Sequence, residues 1–151
     1  MKHLLIIYHS QSGTTRALAE AVLRGAVTEP LIEPRLVPAM EAGVEELLWA
    51  DALVFATPEN FGYISGGLKD FFDRTYYAVA SRQINLPYAV IISAGNDGTG
   101  ALRQLQRIAK GYPLRCVTEP VILVGELSTE GLAASEELGA AIAAGLGMGI
   151  Y

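Results

Sequence analysis

The chain alternates short apolar runs with longer segments in which apolar residues recur every three or four positions. Three unbroken runs, Leu4–Tyr8, Ala52–Thr57 and Tyr88–Ser93, have the length and composition of strands covered on both faces of a sheet. Val121–Val124 is predicted to be the last strand. A short strand over Arg35–Val37 lies among prolines, which confine it to a sheet edge because proline cannot donate to a ladder.

Helical periodicity fills the segments between these runs. Helices are predicted over Thr14–Gly25, over Met40–Trp49, after Ser65, after Gly100 and near the end of the chain. The residues predicted to face inward are Leu18, Ala21, Val22 and Gly25 in the first helix, Val44, Leu47 and Leu48 in the second, Leu68, Phe71, Phe72 and Tyr76 in the third, Ala101, Leu102, Leu105, Ile108 and Ala109 in the fourth, and Leu138, Ala141, Ile142 and Leu146 in the fifth.

Regular alternation of strand and helix predicts parallel βαβ units with right-handed crossovers, which give a doubly wound α/β sheet with helices on both faces. In such a sheet, ligands bind outside the carboxyl ends of the strands, where the strand order reverses. Three segments follow the apolar strands there: His9–Thr15, Pro58–Ser65 and Ala94–Gly100. All three are polar and contain glycine, so we expect the functional site to lie among them.

Composition narrows the class of protein. At 151 residues, 51% hydrophobic and 18% charged, the sequence predicts one globular domain over residues 1–151. The net charge of −5 argues against a nucleic-acid partner, and no apolar run is long enough to span a membrane. The single cysteine excludes an intrachain disulfide, and the first apolar run ends too soon for a secretory signal, so a cytoplasmic location is expected.

The segment after the first strand has the chemistry of an anion site. Free N–H groups at a helix N-terminus point at a ligand, and the helix dipole favours negative charge there. Glycine lets the backbone turn or approach closely, and hydroxyls add donors. The alternative is that Ser12 or Thr14 only caps the helix. The residues predicted to bind the anion are Ser10, Gln11, Ser12, Gly13, Thr14 and Thr15.

Several phosphate-binding classes are excluded by what this segment lacks. It has neither Gly-Lys-Ser/Thr nor a G-x-G-x-x-G fingerprint, and Cys116, which a cysteine phosphatase would need here, lies far away in the chain. A receiver domain would need acidic side chains where Tyr8 and His9 stand. The remaining pattern, Ser10-x-Ser12-Gly13-x-Thr15, resembles the T/S-x-T/S-G-x-T loop of flavodoxin-like proteins, which holds the 5′-phosphate of FMN.

The most specific segment, Thr57–Arg74, reads TPENFGYISGGLKDFFDR and resembles the P-x-x-x-x-x-x-S-G-x-L-K-x-F-x-D-R signature of NAD(P)H-dependent FMN reductases. With the first loop, SAGNDGTG and the closing LGAAIAAGLGMGIY, the resemblance covers essentially the whole chain. It implies a flavodoxin-like three-layer sandwich with a five-stranded parallel sheet of order 2-1-3-4-5. It further implies that Ser65 caps the next helix and that the flavin ring is wrapped by Pro58, Glu59, Asn60, Phe61, Gly62 and Tyr63.

The physical character of this loop agrees with that role. Pro58 keeps Thr57 extended, and the aromatic rings of Phe61 and Tyr63 offer planar apolar faces. The alternative for both rings is ordinary packing beneath the loop. Four charged residues of the following helix stand at helical spacing, which favours surface ion pairs or a subunit contact over contact with a cofactor. They are Lys69, Asp70, Asp73 and Arg74.

The third loop offers backbone rather than side chains. Its residues predicted to approach the ring edge are Ser93, Gly95, Asn96, Asp97 and Gly98. The alternative is a plain turn in which Asp97 or Thr99 is only an N-cap. Electron-carrier flavodoxins commonly have an aromatic residue in this loop, and its absence leaves one face of the ring open for a hydride donor.

His3 and Cys116 are interpreted as structural, and His9 keeps two interpretations. His9 borders the first loop, where it either donates to the ligand or forms a solvated strand end. His3 and Cys116 have no partners at metal-binding or catalytic-triad spacing, and no metal site is predicted.

The resemblance implies an FMN-binding oxidoreductase that takes a hydride from NAD(P)H and passes electrons to a flavin, a quinone or a similar acceptor. No catalytic side chain is predicted, because the flavin carries the chemistry. Two alternatives stay open: a flavodoxin that carries electrons between redox proteins, and a non-redox domain that binds a phosphorylated ligand. Assembly into a homodimer or a homotetramer is also left open.

Overall fold

A computed structural model describes residues 1–151. Its parallel sheet has the order β2-β1-β3-β4-β5, with a further strand, β6, also paired to β4. The predicted doubly wound α/β fold with order 2-1-3-4-5 is therefore confirmed. The strands are β1 (Lys2–Tyr8), β2 (Ile32–Pro38), β3 (Ala52–Pro58), β4 (Leu86–Ala94), β5 (Leu114–Cys116) and β6 (Val121–Val124).

Four helices connect strands, a fifth follows the last strand, and a single 3₁₀ turn over Ala80–Arg82 follows the third helix. No helix of the structure combines the length and the apolar character that crossing a membrane requires. The helices are α1 (Thr14–Ala26), α2 (Val44–Trp49), α3 (Gly66–Val79), α4 (Thr99–Gly111) and α5 (Thr129–Gly147).

The sheet separates two hydrophobic cores, because successive side chains of a strand point to opposite faces. Leu5 and Ile7 of β1 join the core beneath α2, α3 and α4, whereas Leu4 and Ile6 join the core beneath α1 and α5. All four side chains are completely buried, and each contributes about 1.5–3 kcal/mol through removal from water. This two-sided burial explains why the central strands are unbroken apolar runs.

The two sheet edges differ. At one edge β2 pairs only with β1, which places Pro34 opposite Leu4 and Pro38 opposite Tyr8, as the prolines predicted. At the other edge the fifth position is shared by two short strands. β5 pairs with the first three residues of β4 and β6 with its last four, so the predicted final strand is only the second half of this position.

Several local expectations were wrong. The second helix was predicted from Met40 but begins at Val44, because Gly43 before it is extended and donates its N–H to the Glu46 carboxylate over 2.8 Å. Leu48 is exposed rather than inward-facing, and so is Ala141 in the last helix. The other residues predicted to face inward are buried or partly buried.

Candidate functional site

Three loops lie side by side at the carboxyl ends of β1, β3 and β4. The first loop is His9–Gly13, the second is Glu59–Ser65 and the third is Gly95–Gly98. They meet because β3 lies between β1 and β4 in a parallel sheet, which brings the three carboxyl ends to one edge. The sequence predicted this arrangement.

Hydrogen bonds join the three loops to one another. The backbone N–H of Glu59 donates to the Ser93 carbonyl over 2.8 Å. The Glu59 carboxylate also accepts from the N–H of Ala101, at 3.0 Å, so a side chain of the second loop caps α4 behind the third loop. The Thr15 and Ser93 hydroxyls are 2.7 Å apart, which ties the start of α1 to the end of β4. These contacts make one connected site.

The first loop presents donors that the protein itself does not use. Gly13, at φ 100°, occupies the N-cap of α1, and no side chain caps this helix. The N–H groups of Thr14, Thr15 and Arg16 therefore have no acceptor, and the first turn carries no acidic residue. The predicted alternative, in which Ser12 or Thr14 serves as the cap, is wrong. Open N–H groups at a helix start suit a phosphate dianion.

The hydroxyl groups in and next to this loop differ in their exposure and in their hydrogen bonding. Ser12 is exposed and forms no hydrogen bond with the protein, and Gln11 beside it is also exposed. Ser10 accepts from the N–H of Gly13 at 3.1 Å and so holds the loop closed. Thr15 is only 2% exposed, and its hydroxyl is paired with Ser93. Contact of these hydroxyls with a phosphate stays a prediction.

The side chain of His9, the first residue of the first loop, packs against the start of α3. The backbone N–H of His9 donates to the Ala56 carbonyl over 3.1 Å. Its ring lies so close to Gly67 that a Cβ added to this glycine would be 2.5 Å from the ring. The Nδ1 atom is buried without a hydrogen-bond partner, so the interpretation of His9 as a solvated strand end is wrong for this atom. With Ser10 and Arg16, among others, the ring lines a cavity of about 280 Å³.

The second loop contains a tight turn that presents an aromatic ring to solvent. Asn60 and Tyr63 exchange backbone hydrogen bonds of 2.9 and 3.0 Å, and the residues between them, Phe61 and Gly62, have φ angles of 53° and 71°. Positive φ at both central positions is typical of a type I′ turn, and a non-glycine residue held in this region costs on the order of 1–3 kcal/mol.

The two aromatic residues of this turn have different surroundings. The Phe61 side chain is fully exposed, at 107%, so the alternative that it packs beneath the loop is wrong. Tyr63 is partly buried against the core beneath α2, α3 and α4. A strained backbone that directs a large apolar ring into solvent is typical of a position kept for contact with a ligand or a partner.

Thr57 supports the second loop and was absent from the predicted site. Its side chain is completely buried, donates to the Pro58 carbonyl over 2.9 Å and accepts from the N–H of Ser65 over 3.0 Å. It thereby fixes the distance between the two ends of the loop. Ser65 accepts from the N–H of Leu68 at 3.4 Å, so its predicted role as a cap is confirmed. A hydroxyl residue that ends an apolar run directly before proline was the available signal.

The third loop turns on glycine and an aspartate. The N-cap of α4 is Gly98, at φ 73° and packed against Ile122, so neither Asp97 nor Thr99 occupies that position. Asp97 instead accepts from the N–H and the hydroxyl of Thr99, at 3.0 and 2.8 Å, and the backbone bond is the main reason why the pKa of Asp97 lies below its usual value. Gly95, Asn96 and Asp97 are exposed, and none of them has an aromatic side chain.

Charged residues of α3 pair on the surface, as predicted. Lys69 contacts Asp73 at 2.7 Å, and this hydrogen bond raises the pKa of the lysine. Arg74 contacts Asp70 at 2.6 Å and also donates to two backbone carbonyls of the segment before α2. None of these groups belongs to the three loops.

His3 and Cys116 lie away from the loops. His3 stacks on Trp49 with ring centroids 4.3 Å apart, and its Nδ1 is 3.0 Å from the Trp49 carbonyl. Cys116 is exposed on β5, and its thiol donates to the Thr118 carbonyl over 3.4 Å. Both contacts agree with the structural interpretation.

Known proteins with similar sequences include redox proteins. Residues 2–126 match the family NADPH-dependent FMN reductase. A flavodoxin of Aquifex aeolicus (strain VF5) is 41% identical over 48% of this chain and 40% of its own length. An NAD(P)H dehydrogenase (quinone) of Acidithiobacillus ferrooxidans (strain ATCC 53993 / BNL-5-31) is 32% identical over 50% of this chain and 48% of its own length. The chain thus matches less than half the length of these two curated relatives.

Solved structures share the fold at low sequence identity. An archaeal flavodoxin superposes with a TM-score of 0.83 at 21% identity, covering 94% of this chain and 96% of its own. A flavodoxin, WrbA-like protein from Agrobacterium tumefaciens gives a TM-score of 0.78 at 21% identity, covering 95% and 96%. These likenesses establish a flavodoxin-like fold. Because the family match extends from β1 through all three loops to the end of β6, the chain belongs to the NADPH-dependent FMN reductases, a family of FMN-binding, flavodoxin-like oxidoreductases.

Proposed function

We propose that this protein is an FMN-dependent oxidoreductase that takes a hydride from NAD(P)H and delivers electrons to a flavin, a quinone or a similar small acceptor. Bound FMN supplies the redox chemistry, since its ring takes up a hydride and returns two electrons to an acceptor. The protein supplies binding, orientation and access. No side chain is assigned a catalytic role.

The first loop suits the phosphate end of the cofactor. The open N–H groups of Thr14, Thr15 and Arg16 and the exposed hydroxyl of Ser12 are neutral donors grouped at the positive end of a helix dipole. The charged end of Arg16 is engaged by Glu20 at 3.0 Å along the outside of α1. We therefore assign the FMN phosphate to neutral donors rather than to a cation.

The observation that carries the proposal is the asymmetry of the two loops assigned to the flavin ring. The second loop offers a fully exposed aromatic side chain, Phe61, whereas the third loop offers only the exposed backbone and short polar side chains of Gly95–Asp97. A ring covered by an aromatic residue on one side only keeps its other face accessible. A hydride donor needs such a face, because the two rings have to stack for direct transfer.

The second candidate is an electron carrier without a substrate of its own. The similarity to the Aquifex flavodoxin favours it, and a carrier also needs an exposed flavin edge. In that case the open side of the flavin meets a partner protein rather than a nicotinamide. The two candidates differ in one measurable respect: an oxidoreductase accepts electrons directly from NAD(P)H, whereas a carrier requires a separate reductase.

The deciding experiment uses protein loaded with FMN under anaerobic conditions. We expect NADPH or NADH alone to bleach the visible absorbance of the flavin rapidly, and a quinone or free flavin to restore it. Failure of both nucleotides, together with rapid reduction through a separate flavodoxin reductase, would support the carrier. A protein that binds no flavin in calorimetric titration would exclude both candidates. FMN should bind more tightly than FAD, because the first loop has donors for one terminal phosphate.

The proposal also covers the location, the partners and the assembly of the protein. We expect a cytoplasmic protein that acts on a small-molecule acceptor or a redox protein and assembles as a homodimer or a homotetramer. Sedimentation of the FMN-loaded protein would test the assembly.

A further inference from the structure

The positive charges of this acidic protein fall into two groups. Five of its eleven lysines and arginines form ion pairs with carboxylates: Arg16, Arg24, Arg35, Lys69 and Arg74. Among the six without such a partner, Arg103, Arg107 and Lys110 stand on one helix, α4, at spacings of four and three residues. Residues at these spacings share one helix face. Three unpaired cations are therefore concentrated on a single surface of a protein whose net charge is −5.

These three cations line a groove rather than a flat surface. The groove lies between α4 and the strands β4 and β5, has a volume of about 530 Å³, and contains no aspartate or glutamate among its lining residues. Volumes of roughly 300–1,000 Å³ are typical of sites for small molecules. We refer to it as the α4–β5 groove.

Neutral polar groups complete the lining. Gln106 contributes a side-chain amide, and Tyr88, only 3% exposed, brings its hydroxyl to the groove beside Cys116. Burial, with a smaller contribution from Cys116, raises the pKa of Tyr88 to about 12, so the hydroxyl keeps its proton at neutral pH and remains a donor. Cations, an amide and a protonated hydroxyl together provide donors for an anion.

The floor of the α4–β5 groove is distant from the three loops, whereas Arg103 at its other end is close enough to Asp97 of the third loop to contribute to the lowered pKa of that carboxyl. Tyr88 and Leu114 lie where β4 and β5 begin, whereas the third loop follows the far end of β4 at Ala94. Tyr88 and Ala94 are six residue steps apart along the strand, which corresponds to about 20 Å. A ligand on the groove floor is therefore not bound by the first loop, and the inference does not depend on the proposed function.

We propose that the α4–β5 groove binds a small molecule that carries two or more phosphate groups, such as a nucleoside diphosphate. The eight residues of helix from Arg103 to Lys110 extend over about 10 Å, which is longer than one phosphate, so the three long side chains have room for more than one phosphate group. The guanidinium groups of Arg103 and Arg107 suit phosphate because their planar forks bind its oxygens in pairs. The volume of the groove, which lies in the range of small-molecule sites, favours a small molecule over an acidic protein segment.

The test is titration calorimetry with inorganic pyrophosphate and with ADP in the presence of excess FMN, which fills the first loop. We expect both probes to bind the wild-type protein and adenosine not to bind. The double variant Arg103→Gln/Arg107→Gln should lose at least about tenfold in affinity for both, since each lost charge-assisted bond is worth that much. The matched control Lys2→Gln/Arg82→Gln removes two other unpaired cations and should change the affinity less than twofold.

Four outcomes would contradict the proposal. Absence of binding by the wild-type protein, or equal losses in the two double variants, would mean that the groove holds no specific anion. Loss of pyrophosphate binding in Ser12→Ala would assign the anion to the first loop. Tighter binding of polyglutamate than of pyrophosphate would assign the groove to an acidic protein. Unchanged FMN affinity in Arg103→Gln/Arg107→Gln would verify folding, and if FMN never binds, pyrophosphate titration without FMN still tests the groove.

Discussion

The first loop and the second loop flank the same site but are built in opposite ways. In the first loop the N–H groups at the start of α1 and the Ser12 hydroxyl have no partner within the protein. In the second loop, Thr57 joins the two ends, Glu59 connects to α4, and Asn60 pairs with Tyr63 across the turn. Unused donors suit an anion, whereas a fixed backbone suits the placement of a rigid ring.

The difference indicates where affinity and geometry are determined. A donor that has no partner in the protein exchanges only its bonds to water when a phosphate arrives, so no hydrogen bond within the protein has to break. A loop whose hydrogen bonds are already formed loses little conformational entropy on binding a ring, since it is ordered beforehand. We therefore expect substitutions in the first loop to change cofactor affinity alone, and substitutions in the supporting contacts to change stability.

The largest effect on stability is expected at the contact between the start of α1 and the end of β4. Thr15→Val keeps the shape of the side chain but leaves the Ser93 hydroxyl, 8% exposed, without its partner. An unpaired buried hydroxyl costs about 1–3 kcal/mol, so the free energy of unfolding should fall by that amount in urea denaturation. The double variant Thr15→Val/Ser93→Ala should recover most of the loss, because neither hydroxyl then remains unpaired.

The same variants decide whether Thr15 also contacts the phosphate. If it does, Thr15→Val and the double variant both bind FMN at least tenfold more weakly than Ser93→Ala alone. Equal FMN affinity in all three would leave Thr15 with a purely structural role. A double variant no more stable than Thr15→Val would contradict the coupling of the two hydroxyls.

An effect on cofactor affinity alone is expected at Ser12. Its side chain is exposed and unbonded, so Ser12→Ala should leave the stability of the cofactor-free protein within about 0.5 kcal/mol of wild type. A hydrogen bond to a charged phosphate contributes roughly 1.5–3 kcal/mol, so FMN affinity should fall at least tenfold. Riboflavin, which lacks the phosphate, is the matched ligand, and its affinity should not change. Equal losses for both flavins would mean that Ser12 contacts the ring.

Features determined by residues close together in the chain could be predicted from the sequence, whereas contacts between distant residues could not. The strands β1, β3 and β4 are recognisable in the sequence as unbroken apolar runs, because each strand is buried on both faces. β5 was missed because only Leu114 of its three residues is buried, which is too short a signal. Leu48 and Ala141 were misplaced because apolar residues also occur on surfaces.

The loops were located correctly, but their internal bonds were not foreseen. The bond between Thr15 and Ser93 joins residues 78 positions apart, and the bond between Glu59 and Ala101 joins residues 42 apart. Such pairs depend on strand order and register rather than on local pattern. Ser65 as a cap was predictable, because its partner Leu68 is three residues away.

An effect with opposite signs on stability and affinity is expected at Phe61. Phe61→Asn places Asn before Gly62, a pair favoured in type I′ turns, so the cofactor-free protein should gain about 0.5 kcal/mol. Loss of the ring should weaken FMN about tenfold, since stacking of an aromatic side chain contributes on the order of 1–3 kcal/mol. Phe61→Tyr is the control that keeps the ring. Unchanged FMN affinity in Phe61→Asn would remove this residue from the cofactor site and reserve it for a partner.

The smallest effect is expected at Arg16, although it is the cation nearest to the first loop. Its side chain pairs with Glu20 at 3.0 Å, and both groups are about half exposed, so the pair itself contributes little stability. A positive charge in the first turn also opposes the helix dipole. Arg16→Ala should therefore change FMN affinity less than threefold, clearly less than Ser12→Ala, while riboflavin affinity stays the same. Titration at two salt concentrations sharpens the test, because a phosphate held by a point charge loses affinity with salt more steeply than one held by neutral donors. If Arg16→Ala is more damaging than Ser12→Ala and removes a steep salt dependence, the anion is held by charge, and the contrast between the two loops fails at its central point.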